Sequence, residues 1–322
     1  MTKQVARNDV MPQNRKTNAG KPMTKGRYIR TQMKRTWQGY VMVAPFLLIF
    51  TLFTIAPVVL SIVLSFTSFN MLEFPEFKGL QNYIQLFLSD DLFVTAFSNT
   101  MLFAITVGPT SFILSFIVAW FLNELSPKIR AIATIIFYAP SIAGNAYMVF
   151  GTFFQGDIYG YVNGWLLKMG IITQPIVFFK NTDYIVPLCI VVALWTSLGT
   201  SFLSNIAGLQ GVSRDLYEAG AIDGVKNRWQ EAWYITLPAM RNILLFGAVM
   251  AITNSFGFGL VVNQLCGNPS TDYVAWTLWH HQHEYMGVRF EYGYASAIAV
   301  VLFAIMMVAN MLVQKFLAKV GQ

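Results

Sequence analysis

The sequence predicts an all-α integral membrane protein with six transmembrane helices, and three observations carry that prediction. Of the 322 residues, 55% are hydrophobic and only 11% are charged. A soluble domain carries about 25% charged residues, so a water-facing surface of this size could not be covered. Six runs free of Asp, Glu, Lys and Arg are 23 to 37 residues long: Thr36–Leu72, Leu92–Asn123, Ala131–Gly156, Tyr184–Ser213, Asn242–Thr271 and Tyr292–Gln314. About 20 apolar residues suffice to cross a hydrocarbon core about 30 Å thick. Finally, runs such as Phe46–Phe53 do not alternate between apolar and polar residues, as strands of a membrane barrel would.

Taken in order, the helices are expected near 41–66, 99–123, 131–153, 185–208, 242–262 and 293–315. Pro45 and Pro57 in the first, and Pro109 in the second, each withhold a backbone donor and favour kinks. An even number of spans puts both termini on one side. With the N-terminus inside, the inner segments (1–40, 124–130, 209–241 and 315–322) hold 18 Lys and Arg against 6 acids. The outer segments (67–98, 154–184 and 263–292) hold 4 against 9. Loops rich in Lys and Arg stay in the cytoplasm, so both termini are expected there. The same asymmetry accounts for the net charge of +7 without a nucleic-acid partner.

Residues 1–36 hold 10 of the 22 basic residues and one acid. They read as a disordered cytoplasmic arm drawn to anionic lipid headgroups, ahead of a transmembrane domain over 37–322. The first apolar run begins too late and runs too long for a cleaved secretory signal. Two cysteines, Cys189 and Cys266, are too few for a disulfide scaffold or a structural zinc site.

One cytoplasmic loop, 209–241, stands apart from the rest. Ser213 is placed to cap a short helix, Leu216, Ala219 and Ile222 recur near helical spacing, and Gly224 is a natural stop. A second amphipathic stretch with Trp229, Trp233, Ile235 and Leu237 follows, and Pro238 breaks the chain before the fifth span. The expectation is a helix–Gly–helix hairpin with a small, charged tip.

That loop resembles the signature of inner-membrane permease subunits of binding-protein-dependent ABC importers: Glu-Ala-Ala, three residues, Gly, nine residues, Ile-x-Leu-Pro. Glu218, Ala219, Gly224, Ile235, Leu237 and Pro238 match it, and Asp223 fits the Asp-Gly turn. Gly220 replaces the second Ala, and ten residues (225–234) rather than nine precede Ile235. The wording Ala221-Ile-Asp-Gly, Trp229-Gln, Ala44-Pro45-Phe46 and Asn99-Thr100 is most similar to the carbohydrate-import (oligosaccharide or maltodextrin-like) branch. The resemblance covers residues 40–316.

It implies a type I ABC importer permease fold in the inner or plasma membrane of a prokaryote. It further implies that the loop is a coupling helix seated in a cleft of a cytoplasmic ATPase, with Glu218, Ala219, Gly220, Asp223, Gly224, Ile235, Leu237 and Pro238 as its coupling residues. Small residues would let it insert deeply, and its carboxylates would make charge-assisted hydrogen bonds. The implied partners are a second homologous permease, two ATPase subunits, an extracytoplasmic solute-binding protein, a carbohydrate substrate and membrane lipid.

What is absent agrees. No Gly-x-x-x-x-Gly-Lys-Ser/Thr phosphate loop occurs, so ATP hydrolysis is expected in separate subunits and the chain itself is not expected to be an enzyme. Apart from Lys315 at the last position of the sixth, no charged residue falls within the six spans, which leaves a proton- or sodium-coupled carrier without its relay. No nucleophile with a positioned base is evident, and no cofactor is expected. His280, His281 and His283 beside Glu284 read as an interfacial aromatic stretch, with no metal site expected. Neutral sugars are held by aromatic faces, amides and hydroxyls, so the substrate pathway is expected to draw on Asn145, Tyr147, Trp195, Asn254, Ser255, Phe256 and Gly257. Each of these could equally be helix-packing glue. Two other readings stay open: an ABC importer permease for a peptide, amino acid or phosphate, and a scaffold that docks an ATPase without conducting substrate.

Overall fold

A computed structural model describes residues 36–144 and 146–317. Asn145 and all of the basic arm but Thr36 lie outside the described residues. The chain divides into two units at Val58 and Val59. The described part of the first is a helix from Trp37, which continues to Leu64 as an apolar segment of 28 residues (α1, Trp37–Leu64). It holds Pro45 without breaking. Ahead of Pro57 it widens into a π turn over Thr51–Ile55, where the Ala56 amide reaches back five residues to the Thr51 carbonyl. Proline withholds a donor at that point, so the register slips locally while the helix continues.

The second unit is a helical bundle. Its described elements are a two-residue antiparallel pairing of β1 (Thr67–Ser68) with β2 (Glu76–Phe77), then α2 (Gln81–Leu88), α3 (Asp91–Asn123), α4 (Pro127–Ile142), α5 (Ala146–Phe153) and α6 (Tyr161–Lys168). There follow α7 (Thr182–Thr196), α8 (Thr200–Gly211), α9 (Arg214–Ile222), α10 (Arg228–Ala239) and α11 (Arg241–Ser255). The last are α12 (Gly259–Cys266), α13 (Leu278–Gly287) and α14 (Tyr292–Leu317).

Helix α3 is the axis. At 33 residues it is about 50 Å long, and α7, α8, α11 and α13 pack along it. Three buried clusters lie in sequence down its length. Phe93 and Ala96 pack with Trp276, Tyr285 and Ile298. Phe103 and Val107 pack with Ile185, Phe258 and Val262. Ala119 and Trp120 pack with Phe202, Leu209 and Met240.

Among the described residues three helices, α1, α3 and α14, are long and apolar enough to cross a membrane, and up to six spans result if each bent pair (α4 with α5, α7 with α8, α10 with α11) is one span. The sequence suggests six continuous helices. Instead, the third and fourth runs each divide into a pair of helices bent by more than 40° (α4 with α5, α7 with α8). In the fifth run α11 ends at Ser255 and α12 begins at Gly259. The breaks fall where hydroxyl and glycine residues cluster (Ser141 to Gly144, Thr196 to Thr200, Ser255 to Gly259). Periodicity does not mark them, because each break lies inside a run without Asp, Glu, Lys or Arg. Such breaks persist at membrane depth only where the freed backbone groups face protein or a cavity.

Candidate functional site

The hairpin forms as its sequence suggests. The Ser213 hydroxyl accepts the Asp215 amide at 3.3 Å and starts α9. At the other end, the Val225 amide donates to the Gly220 carbonyl (2.9 Å) and the Gly224 amide to the Ala221 carbonyl (3.3 Å). With Gly224 at φ +95°, this is a Schellman stop, which a glycine makes without steric cost. Asn227 then caps α10 by accepting the Gln230 amide at 2.9 Å, while the Gln230 side chain accepts the Lys226 amide at 2.9 Å.

Two contacts seat the hairpin on the bundle. The rings of Trp229 and Trp120, at the end of α3, lie 5.0 Å apart. Arg228 bridges Glu124 at 2.6 Å and Glu231 at 2.8 Å. Glu124 and Arg228 come from two segments assigned to one side of the membrane by charge, and they meet in space. The Tyr217 hydroxyl, 3.0 Å from that of Thr236, ties α9 to α10.

Gly220, the residue that departs from the family signature, is the one buried residue of α9. A Cβ there would collide with the Ile235 side chain. Small size at 220 therefore lets α9 lie flat on Ile235. Glu218, Ala219, Asp223 and Gly224 are exposed around it, with Pro238 exposed and Ile235 and Leu237 half-buried. Ile222, at the tip, is 87% exposed. The extra residue before Ile235 also has a location: α10 contains a π turn over Ala232–Thr236. A π turn takes up one residue more than an α turn, so the insertion is absorbed inside α10.

The second feature is a cavity of about 220 Å³ lined by Tyr138, Ser141, Thr196, Ser197, Gly199, Thr200, Asn254 and Phe258. Its walls are the three helix breaks: the end of α4, the α7–α8 junction and the α11–α12 junction. Discontinuous membrane helices that converge in this way present hydroxyls, amides and freed backbone groups to a ligand. Among the described residues of the expected pathway set, Asn254 lines this cavity. Ser255 is buried, with its hydroxyl donating to the Ile252 carbonyl at 2.6 Å, and it packs on Gly108 of α3. Phe256 is buried and Gly257 exposed. Tyr147 is half-buried on α5, and Trp195 packs edge-on against Phe150 at 5.0 Å. Ser141, Ser197, Thr200 and Tyr138 are cavity residues that the sequence did not single out. The signal for them was the glycine beside each break, Gly144, Gly199 and Gly257.

At the opposite end of α3 the histidines take three separate roles. The Asp90 carboxylate caps α3 by accepting the Phe93 amide at 3.2 Å. It also accepts the Tyr294 hydroxyl at 2.7 Å and His281 Nε2 at 2.8 Å. Trp276 Nε1 donates to His281 Nδ1 at 3.3 Å, so the proton of a neutral His281 lies on Nε2. His280 is buried, stacked 5.3 Å from Trp276, and His283 stacks on Trp279 at 5.0 Å. Burial pushes the His280 imidazole down to about 4, with His283 acting in the same direction. Burial also lowers His281, although Asp90 opposes it. For Asp90, burial alone would raise the carboxyl, but bonds from Tyr294, His281 and the Phe93 amide together hold it below the ordinary value.

Asn99 and Thr100 fix the neighbouring loop. Asn99 Nδ2 donates to the Val274 and Trp276 carbonyls, both at 2.9 Å, and the Thr100 hydroxyl accepts the Leu278 amide at 2.9 Å.

No family model matches the chain. Curated relatives do. It is 30% identical over 294 residues to the probable ABC transporter permease protein YesP of Bacillus subtilis (strain 168), covering 89% of this chain and 92% of that one. It is 30% identical over 304 residues to the lactose transport system permease protein LacF of Rhizobium radiobacter, covering 90% and 97%. In fold it is similar to a chain of the bacterial alginate ABC transporter crystallised in complex with an alginate pentasaccharide-bound periplasmic protein. The TM-score is 0.74 at 21% identity, over 90% of this chain and 96% of that one. With 30% identity across nearly the whole of both chains, this chain belongs to the family of ABC transporter permeases, in the branch of sugar-transport subunits.

Proposed function

We propose that the chain is one of two homologous permease subunits that together form the path of a carbohydrate across the inner or plasma membrane of a prokaryote. The sugar is delivered by an extracytoplasmic binding protein, and two separate ATPase subunits drive the cycle. In this reading α4 with α5, α7 with α8, and α11 with α12 join α1, α3 and α14 as six spans, both termini are cytoplasmic, and residues 37–322 are the permease domain. The hairpin within 209–241 sits in the ATPase cleft. Its exposed Glu218, Asp223 and Ile222 meet the ATPase, and its seat on Trp120 and Glu124 passes the movement to α3. The polar cavity beside α3 is the stretch of path that this subunit contributes.

The observation that carries the reading is that one continuous helix, α3, links the hairpin at one end to the cavity walls farther along. A displacement of the hairpin by an ATPase therefore reaches the cavity through a rigid element. An uncharged, hydroxyl- and amide-lined cavity suits a neutral polyhydroxylated ligand. The lactose-transport relative supports the same class.

The test is uptake into proteoliposomes. The chain is reconstituted with a homologous permease and ATPase subunits that co-purify with it, with the binding protein outside and ATP inside. A panel of radiolabelled oligosaccharides is offered alongside peptides, amino acids and phosphate. ATP-dependent accumulation of an oligosaccharide that requires the binding protein is expected. Accumulation of another solute class alone would make this a non-sugar permease, and ATP hydrolysis without uptake would make it a scaffold.

A further inference from the structure

The two cysteines of this chain, 77 positions apart, meet. Cys189 Sγ on α7 and Cys266 Sγ at the end of α12 are 3.7 Å apart. Both are free thiols, Cys189 buried and Cys266 partly exposed. They lie in the cluster formed by Phe103, Val107, Ile185 and Val262, which holds the two helices side by side. A disulfide needs sulfurs about 2.05 Å apart, so closing the gap takes a movement of under 2 Å. Side-chain rotation supplies movements of that size.

We propose that Cys189 and Cys266 are a dithiol modification site, which a small disulfide oxidant converts into a covalent cross-link between α7 and α12. The order of attack follows from exposure. The partly exposed Cys266, as its thiolate, attacks one sulfur of the oxidant. A Cys266–oxidant mixed disulfide forms, and one oxidant thiolate leaves. Cys189, already beside it, then gives up its proton as it attacks the Cys266 sulfur and expels the second oxidant thiolate. Two cysteine thiols lose two electrons and two protons. The oxidant disulfide gains the two electrons and, with the two protons relayed through solvent, becomes two thiols.

The consequence follows from position. Helix α7 ends at Thr196 and α12 begins one residue after Phe258, and both Thr196 and Phe258 line the cavity. The cross-link fastens together two of the three helix segments that wall it. If the cavity must change shape for a ligand to pass, the cross-link stops passage. This consequence rests on the transport reading above, whereas formation of the cross-link does not.

The full complex in proteoliposomes is treated with dithiodipyridine, then split for peptide mass mapping and for uptake. The expected result is a linked 189–266 peptide, loss of ATP-driven uptake, and recovery of both on reduction with a trialkylphosphine. C266S should keep its uptake under the same treatment. C189S should retain a thiopyridyl adduct on Cys266 that the unmodified chain does not accumulate. Failure to find the linked peptide, or equal loss of uptake in C266S, would overturn the site. A linked complex that still transports would overturn its functional effect. Uptake by the untreated complex is measured in parallel, so failure of the transport reading is seen separately.

Discussion

Gly224 shows how much can rest on one residue. At φ +95° an L side chain costs about 1–2 kcal/mol, so Gly224→Ala should lower hairpin stability by that amount. Pulled-down ATPase should fall while membrane insertion stays unchanged. Gly220→Val meets Ile235 and should do more, because α9 would have to lift from its seat.

The buried histidines give a pH dependence with a definite sign. Their folded-state values lie below 6.5, the ordinary value for an unfolded chain. Protons therefore bind the unfolded chain more readily, and the stability present above pH 6.5 is lost as pH falls from 6.5 toward about 4. Asp90, held below its ordinary value, acts in the same direction at still lower pH. Thermal melts of the complex from pH 7.5 to 4.5 should show a falling midpoint, with a shallower slope in His280→Phe. A midpoint independent of pH would mean that His280 is not buried as described. In the cavity, Asn254→Leu should raise the substrate concentration for half-maximal uptake while basal ATP hydrolysis persists. Ser255→Ala, on Gly108, should leave that concentration unchanged. These two neighbours are not separable in the sequence, because which of them faces the cavity is decided by a helix break three residues long. The exposure of Glu218 and Asp223 was legible because a capped helix closed by a Gly stop exposes its tip by local rules alone.

At the level of elements, the long helices were legible as apolar runs but the interruptions of the other runs were not. A break inside a run changes neither its composition nor its length, and what stabilises it is a neighbour distant in sequence. Asn99 does the same for the loop before α13: its two bonds hold carbonyls 175 and 177 positions away. Asn99→Leu leaves those carbonyls unpaired and should cost about 1–3 kcal/mol, read as a lower melting temperature of the complex with the cavity otherwise intact. The extra residue before Ile235 was visible as a count, and only the structure shows it taken up as a π turn. Deleting the exposed Tyr234 within that turn should therefore be tolerated. The complex should assemble and melt within a few degrees of the unmodified one, whereas deleting the buried Ala232 should prevent assembly.

Across the whole molecule, the hairpin end of the bundle, where Lys and Arg are concentrated, lies in the cytoplasm in the proposed reading. Cysteines introduced at Ser213 and Asn227, in a chain whose two native cysteines are replaced by serine, should react with an impermeant maleimide only after the cytoplasmic side is opened. One at Asn181 should react from outside. The central claim is that the hairpin couples ATP hydrolysis to the cavity. The direct measurement is ATP hydrolysed per sugar accumulated by the reconstituted complex carrying Glu218→Ala with Asp223→Ala. Neither residue lies in the bundle or the cavity, so a coupling role predicts an assembled complex with sharply reduced uptake and loss of the ATPase stimulation caused by the loaded binding protein. Uptake and stimulation equal to those of the unmodified complex would contradict it.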